Sequence, residues 1–289
     1  MAATGLDANS VEGMYLVNAS DFAGKAAADW DNARVVRVEM DEFSFQPNNL
    51  TFEAGVPYKV ELVNIGAEKH EFTAEKFFAS VAWRKAETPE SEVKAPFFTE
   101  IEVFAGKQVD LYFVPIVPGL FDLVCEIPGH FEAGMLGTVT VTGEAPTDPA
   151  PVYAPFAAGP WVDDGAAIVA AADWDTMETV EIELGEFFFE PNEIRLKEGQ
   201  PYKLVFRNRG AEKHEATAPE FFNNLAFRKI EDASGEFKGP TPLEVEALAG
   251  METELFVIPV RPETFALICE IPGHFEAGMF GTIVAEPAS

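Results

Sequence analysis

Shifting this chain by 144 residues lays it on itself. Asp29-Trp30-Asp31 falls on Asp173-Trp174-Asp175, the segment AEKHE at 67–71 falls on the same letters at 211–215, and CEIPGHFEAGM at 125–135 recurs unchanged at 269–279. No gap is needed between about residue 17 and residue 141. Solenoid modules repeat every ~20–45 residues, so a unit this long is a whole domain. The repeat predicts two copies of one fold, the first over 1–145 and the second over 161–289. Between them, a Pro-rich stretch at 146–160 reads as a semi-rigid extended linker.

Within each copy the hydrophobic period is two. Tyr58, Val60 and Leu62 alternate with Lys59 and Glu61, and Tyr202, Leu204 and Phe206 repeat the pattern. Such alternation marks half-buried strands. Similar runs at about 35–40, 100–104, 109–114, 120–125 and 137–141 are separated by Gly55, Gly106, Pro118-Gly119 and Gly137. That spacing predicts an all-β chain of antiparallel sandwiches. Ala-rich stretches at about 20–29 and 164–173 read as short helices. The segment 75–98, matched at 219–242, does not alternate and reads as a helical turn plus loop inserted between strands. Its recurring Phe77-Phe78 and Arg84-Lys85 (Phe221-Phe222 and Arg228-Lys229) read as core packing beside a solvated charge pair, with a docking surface as the other reading.

Forty-nine acidic against 20 basic residues give a formal charge of -29, which repels phosphate backbones and anionic lipid. Nucleic acid is excluded as a partner on that ground. No window reaches the ~18 apolar residues of a spanning helix, and the N-terminal MAATGLDANS lacks the basic and apolar regions of a secretory signal. The expectation is a soluble protein from which any signal has been removed.

All four histidines and both cysteines fall at matched places. Each copy offers one early His and then, 55 residues later, Cys-x4-His-x4-Met: His70 with Cys125, His130 and Met135, and His214 with Cys269, His274 and Met279. Independent core residues have no reason to use up every His and Cys of the chain at equal spacing. A metal site does. Two imidazoles and a thiolate form a trigonal set, with a thioether as weak axial donor, the arrangement of electron-transfer copper. Zinc also takes two His and one Cys, but closes structural sites with a further Cys or His and leaves the fourth catalytic position to water. The soft methionine favours copper. The early histidine follows the strand VELVN, while Cys125 ends one strand and Gly137 opens the next. Gly129 and Gly134 let the loop between them curl, and Pro128 stiffens its approach.

These residues resemble the cupredoxins, the blue copper proteins that include plastocyanin, azurin, auracyanin and rusticyanin. The resemblance covers both copies and implies two tandem Greek-key β-sandwiches, each with a type 1 copper: one bound by His70, Cys125, His130 and Met135, the other by His214, Cys269, His274 and Met279. It implies that His130 and His274 form partly exposed edges through which electrons pass. Ile127, Pro128 and Phe131, with Ile271, Pro272 and Phe275, would form an apolar rim that either docks a redox partner or packs. Two positions depart from the family pattern. Where relatives often carry an Asn after the first ligand, this chain has Glu71 and Glu215, which either brace the loop, stay solvated or compete as ligands. Glu126 and Glu270, following each Cys, put negative charge near the metal and favour Cu(II).

The leading expectation is a non-catalytic electron carrier with two coppers per chain, serving a redox partner such as a cytochrome or copper oxidoreductase. The alternative is a periplasmic protein for copper tolerance, storage or delivery. A copper enzyme needs further imidazoles, and every His is already assigned. Serine- and cysteine-type hydrolysis likewise lack a free His, and no phosphate-cradling glycine loop is present. A thiolate paired with cupric copper points to an oxidising, periplasmic or otherwise extracytoplasmic location.

Overall fold

The computed structural model describes residues 27–96, 98–145, 162 and 164–288. The first half contributes β1 (Arg34–Asp41), β2 (Ser44–Gln46), β3 (Asn49–Glu53), β4 (Tyr58–Asn64), β5 (His70–Thr73), α1 (Glu75–Phe78), β6 (Val81–Glu87), β7 (Ser91–Lys94), β8 (Glu100–Val103), β9 (Gln108–Pro115), β10 (Gly119–Val124) and β11 (Leu136–Thr142). After α2 (Gly165–Ala171) the second half repeats the series. It runs β12 (Glu178–Gly185), β13 (Phe188–Glu190), β14 (Glu193–Lys197), β15 (Tyr202–Asn208), β16 (His214–Ala216), α3 (Pro219–Phe222), β17 (Leu225–Glu231), β18 (Gly235–Lys238), β19 (Glu244–Ala247), β20 (Glu252–Pro259), β21 (Glu263–Ile268) and β22 (Phe280–Glu286). The linker at 146–160 and most of the first Ala-rich stretch lie outside the described residues; a 3-10 turn at Ala27–Asn32 follows the latter. No helix among the described residues is long and apolar enough to cross a membrane.

Two compact units result. Unit 1 is drawn from Met1–Thr88, Pro96–Ala157 and Ser234–Phe237, and unit 2 from Pro89–Ala95, Ala158–Ala233 and Lys238–Ser289. The units thus depart from a plain division at the linker by two short pieces, β7 and most of β18. The strands SEVK and GEFK occupy equal places in the repeat, so self-comparison cannot tell which unit each one completes.

Unit 1 is a two-sheet sandwich. One sheet runs β2-β1-β4-β9-β6 and the other β3-β11-β10-β5-β8-β18. The alternation of β4 is fully expressed, with Tyr58, Val60 and Leu62 buried and Lys59 and Glu61 half-buried. Phe52, Phe77, Phe113 and Trp83 fill the core, with Phe52 stacked on Phe77 at 5.5 Å between centroids and Phe113 edge-on to both Phe52 and Phe77. Residues 234–237 fit closely: a Cβ on Gly235 would stand 2.3 Å from the Glu102 carbonyl oxygen, so only glycine passes. In unit 2, β13-β12-β15-β20-β17 forms one sheet, and β16-β19-β7 and β14-β22-β21 form two further ladders joined by a bridge at Thr217 and Ile268.

Two expectations need correction. The sandwiches are not wholly antiparallel: β1 pairs parallel with β4 and β3 with β11, and likewise β12 with β15 and β14 with β22. Alternation reports which face is buried and is blind to strand direction. The segment 75–98 is not a helical turn plus loop, because after α1 it forms β6 and β7. A bulge between Trp83 and Lys85 shifts the register against β9 and breaks the alternation. Phe77 and Phe78 are core residues as expected. Of the charge pair, Arg84 is exposed as expected and lies over the Trp30 ring at 5.0 Å, whereas Lys85 is half-buried over Tyr112 at 5.0 Å.

Candidate metal centres

In unit 1, His70 opens β5, Cys125 follows β10, and His130 and Met135 sit on the loop leading into β11. Backbone bonds shape that loop. The His130 amide donates to Ile127 O, Ala133 N to Gly129 O, Gly134 N to Phe131 O, and Met135 N to His130 O at 3.0 Å. The Cys125 amide donates to Met135 O at 3.1 Å, bringing the two ends of the loop together. Gly129 (φ +93°) and Gly134 (φ +105°) take the left-handed conformations that the curl requires.

The result is a convergent donor set. His70 Nδ1 lies 3.3 Å from His130 Nδ1, and Cys125 Sγ lies 3.4 Å from His130 Nδ1. Unit 2 reproduces both distances with His214, His274 and Cys269. In each unit the three donor atoms lie within 4.8 Å of one another. All six side chains are buried, as are Met135 and Met279.

Nitrogens bound at about 2.0–2.1 Å to one ion, with an angle near 110° between them, stand roughly 3.3–3.4 Å apart. The imidazole pairs therefore match ligands of a common metal. Two neutral Nδ1 lone pairs facing at this separation repel unless a cation lies between them. Burial, then the neighbouring His130, lowers the pKa of His70; burial, then His274, lowers that of His214. Both rings are thus kept unprotonated and ready to donate. Burial raises the Cys125 and Cys269 thiols, opposed by backbone N–H donors from Glu71 and Ile127 and from Glu215 and Ile271. The Glu71 and Glu215 amides reach the sulfurs at 3.4 Å. These donors stabilise a thiolate, the form in which Cys125 and Cys269 would hold a metal ion. With no further Cys or His beside either set and methionine on each loop, the donor chemistry fits copper better than structural zinc.

The histidine edges differ from what the resemblance implies. His130 and His274 are only 4% exposed. The Glu68 carboxylate stands 3.3 Å from His130 Nε2 and the Glu212 carboxylate 3.1 Å from His274 Nε2. Phe43 meets the His130 ring edge-on at 5.1 Å, and Phe187 meets His274 at 5.2 Å. Phe43 and Phe187 have φ of 66° and 69°, a strained region for an aromatic residue, which the β1–β2 turn and its counterpart impose. Beside them, Glu42 accepts the Ala67 and Glu68 amides, and Glu186 accepts that of Ala211. Glu42 is held near a pKa of about 2 by the Asp41 side chain and by these amides. Sequence reasoning missed Glu42, Phe43, Glu68 and their counterparts. Their recurrence at the 144-residue offset was the available signal.

The open roles of Glu71 and Glu215 narrow. Adjacent strand residues face opposite ways, so Glu71 turns away from the donors of His70. Its Oε2 accepts the Glu126 amide at 3.0 Å, bracing the loop beside Cys125. Glu215 hydrogen-bonds Glu244, and burial, followed by the charge of Glu244, pushes its pKa up to about 8. Glu126 and Glu270 are exposed. Of the expected rim, Phe131 and Phe275 are about half exposed, as are Leu136 and Phe280 beside them.

Residues 14–141 match the cupredoxin-like domain family, and the repeat carries the same ligand loop into the second half. The first copy is thus a cupredoxin-like domain. A "copper-resistant cuproprotein CopI" of Rubrivivax gelatinosus is 33% identical over 113 residues, covering 37% of this chain and 66% of that protein. The match thus spans just under two thirds of the relative's length. A protein of the same name from Pseudomonas aeruginosa is 23% identical over 138 residues, covering 38% of this chain and 76% of its own. Among solved structures, an auracyanin of Roseiflexus castenholzii is 16% identical over 38% of this chain and 98% of its own, with a TM-score of 0.29. A copper-containing nitrite reductase of Thermus scotoductus is 15% identical over 88% and 62%, with a TM-score of 0.31. Scores this low carry no functional argument.

Proposed function

We propose that this tandem cupredoxin is an extracytoplasmic copper protein that sequesters copper for tolerance, with one copper held in each unit by His70, Cys125, His130 and Met135 and by His214, Cys269, His274 and Met279. The observation that carries the reading is the enclosure of both sets. Every donor is buried, and the outer histidine is covered by a carboxylate and a phenylalanine in each unit. The names of the two bacterial relatives point the same way. Copper supplies soft-donor affinity and one-electron redox change at such a set. The chain's part is to hold the thiolate with the Glu71 and Glu215 amides, keep the His70 and His214 imidazoles neutral, and exclude water. All four histidines lie in these sets, leaving no imidazole for a substrate-activating site, and we read the protein as non-catalytic.

Deletion of the gene, complemented by the parent or by the Cys125→Ser/Cys269→Ser variant, tests this. The deletion is expected to lose growth at raised copper, restored by the parent alone. Unchanged copper tolerance together with impaired respiratory or photosynthetic electron flow would favour the second reading, an electron carrier. The half-exposed Phe131, Leu136, Phe275 and Phe280 favour that reading as a partner-facing rim. Low salt dependence of electron exchange would fit such an apolar contact, whereas docking through the acidic surface would weaken with ionic strength.

A further inference from the structure

Behind each metal centre, on the opposite face of the strand that carries the early histidine, lies a second cluster of donors. In unit 1 the register pairs Glu71 with Glu102 and Thr73 with Glu100. Alternation puts Glu71, Thr73, Glu100 and Glu102 on one face of the β5–β8 ladder. Carboxylate oxygens of the three glutamates lie within 4.8 Å of one another, as do those of Glu215, Glu244 and Glu246 in unit 2. Unit 2 adds a row directly across three strands, because Glu215 pairs with Glu246 and Glu246 pairs with Glu92. Like charges directly opposite on a sheet are destabilising.

Lysines offset part of this charge. Lys69 Nζ lies 2.8 Å from Glu102, Lys213 Nζ lies 2.7 Å from Glu246, and Lys94 Nζ lies 2.6 Å from Glu244 and 3.5 Å from Glu92. In unit 2, four carboxylates (Glu92, Glu215, Glu244 and Glu246) face these two ammonium groups, Lys94 and Lys213.

The independent observation comes from two threonines. Thr73 and Thr217 are 4% and 2% exposed, and their hydroxyl oxygens have no hydrogen-bond partner among the described residues. Each stands two residues beyond the cluster's glutamate, on the same strand face. A buried hydroxyl without a partner costs about 1–3 kcal/mol. Beside carboxylates it is placed to lend a lone pair to a cation.

We propose that each unit holds a hard divalent cation of the calcium class, bound by Glu71, Glu100, Glu102 and Thr73 in unit 1 and by Glu215, Glu244, Glu246 and Thr217 in unit 2. The donors are all oxygen, the preference of calcium, magnesium and manganese, and unlike the His-Cys-Met set they offer nothing soft to copper. A ceiling of 4.8 Å between donor atoms is about twice a calcium–oxygen distance of 2.3–2.6 Å. Glu71 also accepts the amide next to Cys125, so the cation would tighten the brace on the copper loop. The site is independent of whether the copper is stored or shuttled.

Calorimetric titration of the full, copper-loaded chain with Ca²⁺, with Mn²⁺ competition followed by electron paramagnetic resonance, tests it. Two saturable sites per chain are expected, tight enough to fill at millimolar calcium. The Glu102→Gln/Glu246→Gln variant should lose about tenfold or more in affinity, with the copper absorption retained. The Thr73→Val/Thr217→Val variant, unchanged in charge, should weaken binding about threefold to tenfold and keeps the test alive if the glutamine variant misfolds. Unsaturable uptake, as on a diffuse acidic surface, overturns the proposal. So does binding that the threonine variant leaves unchanged.

Discussion

In unit 1, Phe77 packs against Phe52, Phe78, Phe113 and Phe121, with ring centroids 5.3–6.0 Å apart. In unit 2 the equivalent Phe221 meets only two of the corresponding rings, Phe222 and Phe265, because Leu196 and Val257 stand where unit 1 has Phe52 and Phe113. Phe72 is likewise replaced by Ala216 and Phe98 by Pro242. Yet the donor distances of the two centres agree, 3.3 Å between the imidazoles and 3.4 Å to sulfur. The centre is therefore specified by the ligand loop and the strand ends that hold it, and the core below has been free to change from rings to aliphatic groups.

The comparison breaks most visibly at the thiolates. Cys125→Ser and Cys269→Ser should each remove about half of the thiolate-to-copper absorption and one of two bound coppers, since the geometry makes the centres equal. Loss of the whole band from either variant would show that the centres are not equivalent. Next in size is the core. Phe77→Ala should cost about 3–5 kcal/mol in chemical denaturation. Phe221→Ala should cost less by about 1–3 kcal/mol, having two fewer aromatic pairs at ~0.5–1.5 kcal/mol each; equal losses would mean that ring-on-ring packing adds nothing here.

Acidity sharpens the contrast further. Glu215 has a folded pKa of about 8, above the roughly 4.3 of an unfolded glutamate. Between these values the native state holds more protons than the unfolded one, so metal-free unit 2 should lose stability as pH rises from about 4.3 to about 8. Thermal melts across that range should show the decline, and Glu215→Gln should flatten it. The smallest effect belongs to Trp83→Phe, which installs the residue of unit 2. It removes the 2.9 Å bond from the indole N–H to Phe78 O and should cost about 1 kcal/mol.

Much of this was legible in the sequence, for physical reasons that differ by feature. Strands such as β4 show themselves because one face is buried and the other is not. Cys125, His130 and Met135 show themselves because a chain with so few histidines and cysteines repeats them at one spacing. Strand direction in β1 and β3 leaves no mark on side-chain order. A bulge at Trp83 hid β6, and Phe43 reaches His130 only through a left-handed turn that aromatic residues seldom take. Glu68 escaped notice because a surface carboxylate looks alike whether it faces water or an imidazole.

Residues 234–237 complete unit 1, although they belong to the second copy in sequence. A gene trimmed back to its first half would leave β8 with an unsatisfied backbone edge, a template for sticking to neighbours. Deletion alone therefore yields a clean monomer only where β7, which holds the equivalent place in the first copy, folds back onto β8.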